Sequence, residues 1–178
     1  MKTLVRKLWL PGALIIGLLF AGCLLVSLTY VIVTNFSFTA SSGFYTQSID
    51  LTNNKTWDDN KDKIDLIDAV GFEMTMVNSN DEPVTFNTYV TPAGTAYTRK
   101  GQLDSLAYVI IHDLTVEHGT TVMTYAQSLT HLENLDKLKE LVKGGSFVYY
   151  GTATSGGATV GGFSVNPGKI VVTFTVTK

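Results

Sequence analysis

The sequence predicts a mainly β protein, an antiparallel sandwich of seven or eight short strands with one helix at 131–143. Three observations carry this. Apolar residues alternate with polar ones over several stretches of seven to ten residues. Turn-forming clusters of Asn, Asp, Gly and Pro separate those stretches. One segment breaks the rhythm, with leucines three or four apart. Short strands with turns between them favour two packed sheets. A barrel would call for longer strands in a more regular meander.

The first 33 residues need a separate account. The chain has 178 residues and 19.3 kDa, is 45% hydrophobic and 16% charged, and has a mean hydropathy of +0.20. That is more apolar than an ordinary soluble domain, in which roughly 25% of residues are charged. The excess lies at the start. Residues 1–7 form a basic segment with Lys2, Arg6 and Lys7. Residues 8–33 carry no charge, and the next charge is Asp50. As a helix this run would reach about 39 Å at ~1.5 Å per residue, enough to cross a bilayer with some tilt. The charge asymmetry orients it N-terminus in, as a single-pass anchor in the cytoplasmic membrane, with the C-terminal domain outside. Pro11 suits the first turn of such a helix. The stretch Leu19-Phe20-Ala21-Gly22-Cys23 also resembles a bacterial lipobox, in which Cys23 would be lipidated and become the new N-terminus. The apolar continuation Leu24-Leu25-Val26 favours an uncleaved anchor instead. Lipidation and simple secretion stay open. A type IV pilin would carry a glutamate early in its helix, and none occurs before Asp50.

Residues 34–43 are uncharged and rich in Ser and Thr, and are expected to form a stalk. Residues 44–178 are expected to form the extracytoplasmic domain. Three of the thirteen basic residues precede residue 8, so the chain from 34 onward has ten against all fifteen acids, a net charge of -5. Nucleic acid is therefore not an expected partner.

Element by element, a first strand is expected over 44–51. In 68–77, Val70, Phe72, Met74 and Met76 alternate with Gly71, Glu73 and Thr75, giving a strand with one buried face. Asn78-Ser79-Asn80-Asp81-Glu82-Pro83 then reads as a turn, and 84–91 as the second arm of a hairpin. Further strands are expected at 107–111, 120–129, 146–154, 159–165 and 169–177. Ser155-Gly156-Gly157-Ala158 and Asn166-Pro167-Gly168 read as the turns around 159–165. In the helix, Leu132, Leu135, Leu138, Leu141 and Val142 form one stripe, acids lie early and lysines late, and Gly144-Gly145 ends it. Such a stripe reads as a lid on a sheet. Tyr149 and Tyr150 are adjacent on a strand, so one should face the core and the other the surface.

Candidate chemistry is sparse. Asp58, Asn60 and Asp62 have the first three spacings of a calcium loop, but Lys63 stands where the loop needs Gly and Ala69 where it needs Glu. A solvated loop is the expectation. His112, His118 and His131 are spread over different segments, which gives no metal-ligand spacing. There is no G-x-S-x-G elbow, and Gly156-Gly157 and Gly161-Gly162 lack the Lys of a phosphate loop. With a single cysteine no intrachain disulfide forms. No catalytic residue, cofactor or metal is expected. Asn35-Phe36-Ser37 and Asn54-Lys55-Thr56 fit the glycosylation sequon.

The order of these features resembles the LEA-2/WHy domain (late embryogenesis abundant group 2). In that family a strand ends in an Asn-Pro-Asn turn and a Pro-led apolar strand follows. Here Met74-Thr75-Met76-Val77 leads into Asn78-Ser79-Asn80, with Pro83-Val84 beyond; Ser79 replaces the family's Pro. Gly119-Thr120-Thr121-Val122, the leucine helix, Phe147-Val148-Tyr149-Tyr150-Gly151 and Gly168-Lys169-Ile170-Val171 follow in the family's order. The resemblance covers about residues 63–178. It implies an immunoglobulin-like sandwich, a non-enzymatic role in stress protection or membrane-proximal interaction, and no catalytic residues. The expected function is a membrane-anchored envelope module, attached through residues 8–33 and acting on a protein partner. A small-ligand or lipid-binding protein of the envelope is the alternative, and an enzyme built on the acids at 58–68 or on the histidines is the third.

Overall fold

The computed structural model describes residues 27–40 and 42–176. Among these residues, nine strands form two antiparallel sheets. They are β1 Leu28–Ala40, β2 Phe44–Asp50, β3 Ile64–Asn78, β4 Val84–Pro92, β5 Tyr108–Val116, β6 Gly119–Met123, β7 Ser146–Ser155, β8 Ala158–Thr159 and β9 Phe163–Val176. Short helices interrupt them: α1 Lys55–Asn60 with a 3-10 turn Lys61–Lys63, α2 Lys100–Leu106, α3 Tyr125–Leu129 and α4 Leu135–Lys143.

One sheet has the order β1-β9-β3-β6 and the other β2-β7-β4-β5, with β8 paired to β7. Setting aside the two-residue β8, the first strand pairs with the last, the second with the seventh, the third with the sixth and the fourth with the fifth. Successive pairs alternate between the sheets. This is a long antiparallel hairpin rolled up on itself, the jelly-roll arrangement. It corrects the immunoglobulin-like expectation, in which the first strand pairs with the second and the last with the one before it. The expected hairpin of 68–77 with 84–91 is corrected for the same reason. β3 and β4 lie in opposite sheets, and the Asn78–Pro83 segment crosses between them.

The N-terminal boundary also moves. Residues 28–33, expected at the end of the membrane span, and 34–40, expected as stalk, form β1. It pairs with β9 from Leu28↔Val176 to Ala40↔Phe163. Ile32, Phe36 and Phe38 point inward and are buried, while Val31 and Val33 point outward. Apolar residues on both faces of this strand explain why its hydropathy continued that of the preceding run. Residues 8–26 of the expected span, the basic segment 1–7 and Cys23 lie outside the described residues. Among the described residues, no helix is long and apolar enough to cross a membrane.

Three further differences have local causes. The expected strand 120–129 stops at Met123, because Thr124 caps α3: its hydroxyl accepts from Gln127 N, and Gln127 Oε1 accepts from Thr124 N. This is a capping box, T-Y-A-Q, present in the sequence. The expected helix 131–143 begins only at Leu135. Before it, Glu133 N donates to Ile110 O and Asn134 Nδ2 donates to Val109 O, so the segment is tied to β5. Asn166-Pro167-Gly168 is no turn. It lies inside β9, where the register with both β1 and β3 shifts. The same two neighbours flank β9 on either side of the irregularity, which keeps the strand in line and turns the local bend into a bulge.

Between the sheets the core is aromatic. Phe38 stacks on Tyr45 at 3.5 Å between centroids, Phe86 meets Phe163 at 4.8 Å, and Tyr149 meets Phe36 at 5.2 Å and Phe72 at 5.7 Å. Trp57 of α1 closes one end, edge-on to Phe174. Leu138 and Val142 of α4 join this core.

The outer faces of the two sheets differ. The segment 93–107, with α2, covers that of the β2-β7-β4-β5 sheet. Leu103 there packs with Tyr89, Val148 and Tyr150 in a second small core. The expectation that one of Tyr149 and Tyr150 would be at the surface is thereby corrected: both are fully buried, Tyr149 between the sheets and Tyr150 under the covering segment. Among the described residues, the outer face of the β1-β9-β3-β6 sheet is covered beside Gly71, where Tyr125 and Ser128 of α3 lie against β3.

Candidate functional site

Asn78, Asn80 and Pro83 lie at the end of the sandwich where the chain passes from β3 to β4. Asn78 is completely buried. Its Nδ2 donates to Glu82 O at 3.0 Å and to Val116 O at 3.1 Å. Its Oδ1 accepts from Asn80 N and Asn80 Nδ2, both at 2.9 Å. Asn80 Nδ2 also donates to Gly161 O at 2.9 Å, and Ser79 N donates to Gly162 O at 2.8 Å. His118 Nδ1 donates to Asn80 O at 2.9 Å. Pro83 is exposed and precedes β4. The two asparagines thus clasp three crossings, β3–β4, β5–β6 and β8–β9. Every polar atom of the Asn78 side chain is used, which is what a buried amide requires. The motif is a structural fastening.

The acid cluster takes a different form from the expected loop. α1 and the 3-10 turn contain it, with Lys55 paired to Asp59 at 2.7 Å and Lys61 to Asp58 at 2.8 Å. The hydrogen bond from Lys61 holds the Asp58 carboxyl below its usual range. Both pairs are solvent-exposed. Among the described residues, no three His, Cys, Asp or Glu side chains are grouped to hold a metal. His112 is on β5, within 4.0 Å of Glu133 and 3.6 Å of Asp113. His118 belongs to the clasp, and His131 follows α3. The fold does not bring the three together.

A polar constellation that the spacing analysis missed joins β4 to α2. Tyr89 Oη donates to Asp104 Oδ1 at 2.8 Å, and Lys100 pairs with Asp104 at 2.8 Å. Burial works against ionisation of Asp104, yet the hydrogen bonds from Lys100 and Tyr89 keep its carboxyl below the usual range. Burial, then Asp104, pushes the Tyr89 hydroxyl up. Nearby, Tyr150 Oη donates to Thr95 O at 3.0 Å and accepts from Tyr97 N at 3.2 Å. The Lys100–Asp104 spacing was visible in the sequence as a helical i,i+4 pair. Its tyrosine partner, fifteen residues away, was not. These contacts hold the covering segment to the sheet.

The bare outer face is the remaining candidate. Four large aliphatic side chains stand out on it: Val31 (59% exposed), Val33 (47%), Leu66 (57%) and Val122 (61%). Val171 lies opposite Val33 and is partly exposed. Lys169 and Glu73, paired across strands, meet at 2.8 Å and neutralise each other. Asp68 accepts from Thr175 Oγ1 at 2.7 Å. An open depression of about 270 Å³ lies between Glu73, Thr75, Val122 and Lys169. Chemically, this face offers apolar and hydroxyl surface with little net charge, suited to contact rather than to bond making.

No protein-family model matches the chain, and no curated protein does. Among solved structures, the chain is similar to turnip yellow mosaic virus at 11% identity and TM-score 0.35, covering 86% of this chain and 94% of that one. Desmodium yellow mottle tymovirus matches at 14% identity and TM-score 0.29, over 85% of this chain and 89% of that one. The infectious bursal disease virus Gx strain matches at 14% identity and TM-score 0.36, over 83% of this chain and 33% of that one. Likenesses this distant leave the strand order itself as the ground for the fold, and the function has to be argued from the chain's own surface.

Proposed function

We propose that the chain is a non-enzymatic interaction module of the cell envelope, tethered to the cytoplasmic membrane through its N-terminal apolar run, with the sandwich outside. One observation carries the reading: the space between the sheets is filled by interleaved side chains from Phe36, Phe38, Phe72, Phe86, Tyr149 and Phe163, all buried. A small-ligand or lipid carrier would use that space for its cargo. The filled core supports a role exercised at the surface. The pairing of Asp58, Asp59, Glu73 and Asp104 with lysines and the place of His118 in the clasp favour it too. The tether draws support from the sequence: with β1 starting at Leu28, the uncharged run 8–27 is long enough that a helix of its length would reach about 30 Å, a bilayer's hydrocarbon thickness. The stress-protection version of this role rests on the LEA-2/WHy resemblance alone.

The test is purification of the tagged full-length chain in mild detergent, with mass spectrometry of what accompanies it. A stoichiometric envelope partner is the expected result. A chain that purifies alone and carries a bound small molecule would refute the interaction reading. The intact mass also distinguishes a start at Met1 from a lipidated Cys23.

A further inference from the structure

We propose that the outer face of the β1-β9-β3-β6 sheet lies on the bilayer surface, with Val31, Val33 and Leu66 in contact with lipid. The inference rests on the tether reading above and names the side of the sandwich that the tether brings to the membrane. The uncharged run reaches Ser27, and β1 begins at Leu28, so no spacer separates the two. β1 is the edge strand of its sheet. Leu28 pairs with Val176, which also pairs with Ile64, so the anchor joins the sandwich at one corner of this sheet.

From that corner two surfaces can reach the bilayer. One is the rim formed by α1 and the 3-10 turn. It carries Lys55, Asp58, Asp59, Lys61, Asp62 and Lys63, all charged and strongly hydrated. The other is the sheet's outer face. Close to the corner, the register places Leu66 beside Thr175, Thr175 beside Thr29, and Val31 and Val33 next along β1. Lys169 pairs with Glu73 across the strands, and Asp68, which has no cationic partner among the described residues, accepts a hydrogen bond from the Thr175 hydroxyl. Removing exposed aliphatic surface from water is favourable, and this face carries fewer charges to be stripped of their water than the rim does. The opposite sheet cannot compete, because its own segment 93–107 already covers it.

The experiment places a photo-reactive benzoylphenylalanine in the full-length chain at Val33, Leu66 or Val122 on the face, or at Ala96 on the far side. The chain is reconstituted in phosphatidylcholine–phosphatidylglycerol vesicles, irradiated, and analysed by mass spectrometry. Carbonate extraction of the same vesicles reports anchoring independently. Lipid adducts at positions 33 and 66, well above those at 96, are expected. Because strands are ~4.8 Å apart, position 122 lies about 14 Å across the sheet and should also react if the face lies flat. An anchored chain with no lipid adducts at 33 and 66 overturns the inference and leaves the tether standing. A covalent dimer formed through 33 or 122 assigns the face to a second copy and overturns it too. Release of the chain by carbonate overturns both readings.

Discussion

Replacing Asn78 by alanine is the perturbation that bears most directly on the fold. Its side chain makes four hydrogen bonds, to Glu82 O, Val116 O, Asn80 N and Asn80 Nδ2, at 2.9 to 3.1 Å. The bond to Val116 O is buried. Each hydrogen bond contributes about 1 kcal/mol net, and a buried carbonyl left unpaired costs about 1–3 kcal/mol. Water can reach Glu82 O and the Asn80 groups once the amide is gone, so those losses are partly recovered. The expected destabilisation is about 2–4 kcal/mol. At about 2–4 °C per kcal/mol for a chain of this size, Tm should fall by roughly 5–15 °C. The assay is urea and thermal unfolding of the full chain in mild detergent, followed by near-ultraviolet circular dichroism. Asn80→Ala should cost less, about 1–2 kcal/mol, since its bonds are only partly buried. The double variant should be less damaging than the sum of the singles by at least about 0.5 kcal/mol, because both act on one network. Asn78→Ala within about 0.5 kcal/mol of wild type would refute the clasp, for that is the effect of an ordinary surface change.

Further outcomes follow from the packing. At Gly71 an added Cβ would lie 2.5 Å from the Tyr125 ring and 3.0 Å from Ser128 Oγ, which accepts from Phe72 N. Gly71→Ala should therefore displace α3 and cost about 1–3 kcal/mol, with loss of hydrogen-exchange protection at Phe72; retained protection would show that α3 is not seated there. Tyr150→Phe removes both hydroxyl bonds to the covering segment, so amides 95–107 should exchange faster and stability should fall by about 1 kcal/mol. Lys169→Met breaks an ion pair whose partners are about 40% exposed; unfolding should change by less than about 1 kcal/mol, and the small difference should shrink in high salt. Burial pushes the Tyr45, Tyr89 and Tyr149 hydroxyls above the ordinary 10.0. The folded state then holds protons that the unfolded state releases above about pH 10, so stability is intact below that pH and falls as pH rises further. The slope is at most about 1.4 kcal/mol per pH unit for each tyrosine. Tyr149 Oη has no hydrogen-bond partner among the described residues, so Tyr149→Phe should flatten this alkaline fall without weakening the protein at pH 7.

Local periodicity determined a good part of this molecule. The alternation around Val70, Phe72, Met74 and Met76 required a strand with one buried face, and the leucine spacing required a helix with Leu138 and Val142 inward. Gly156 and Gly157, both at positive φ, form the two-residue turn between β7 and β8 that such a pair favours. Each of these depends on neighbours within a few residues, so the sequence alone sufficed. What it could not decide was which strands share a sheet. Alternation reads the same whether a strand pairs with its sequence neighbour or with one a hundred residues away. Only the three-dimensional closure put β1 beside β9 and sent β3 and β4 into opposite sheets. The clasp shows the same division. The turn at Asn78 was legible from its residue types, but its bonds to Val116 and Gly161 exist only because the roll brings those loops to one end. The boundary at Leu28 was hidden for a different reason. Hydropathy averages over both faces of a strand, and an edge strand with valines outward looks like the end of a membrane span until its partner is known.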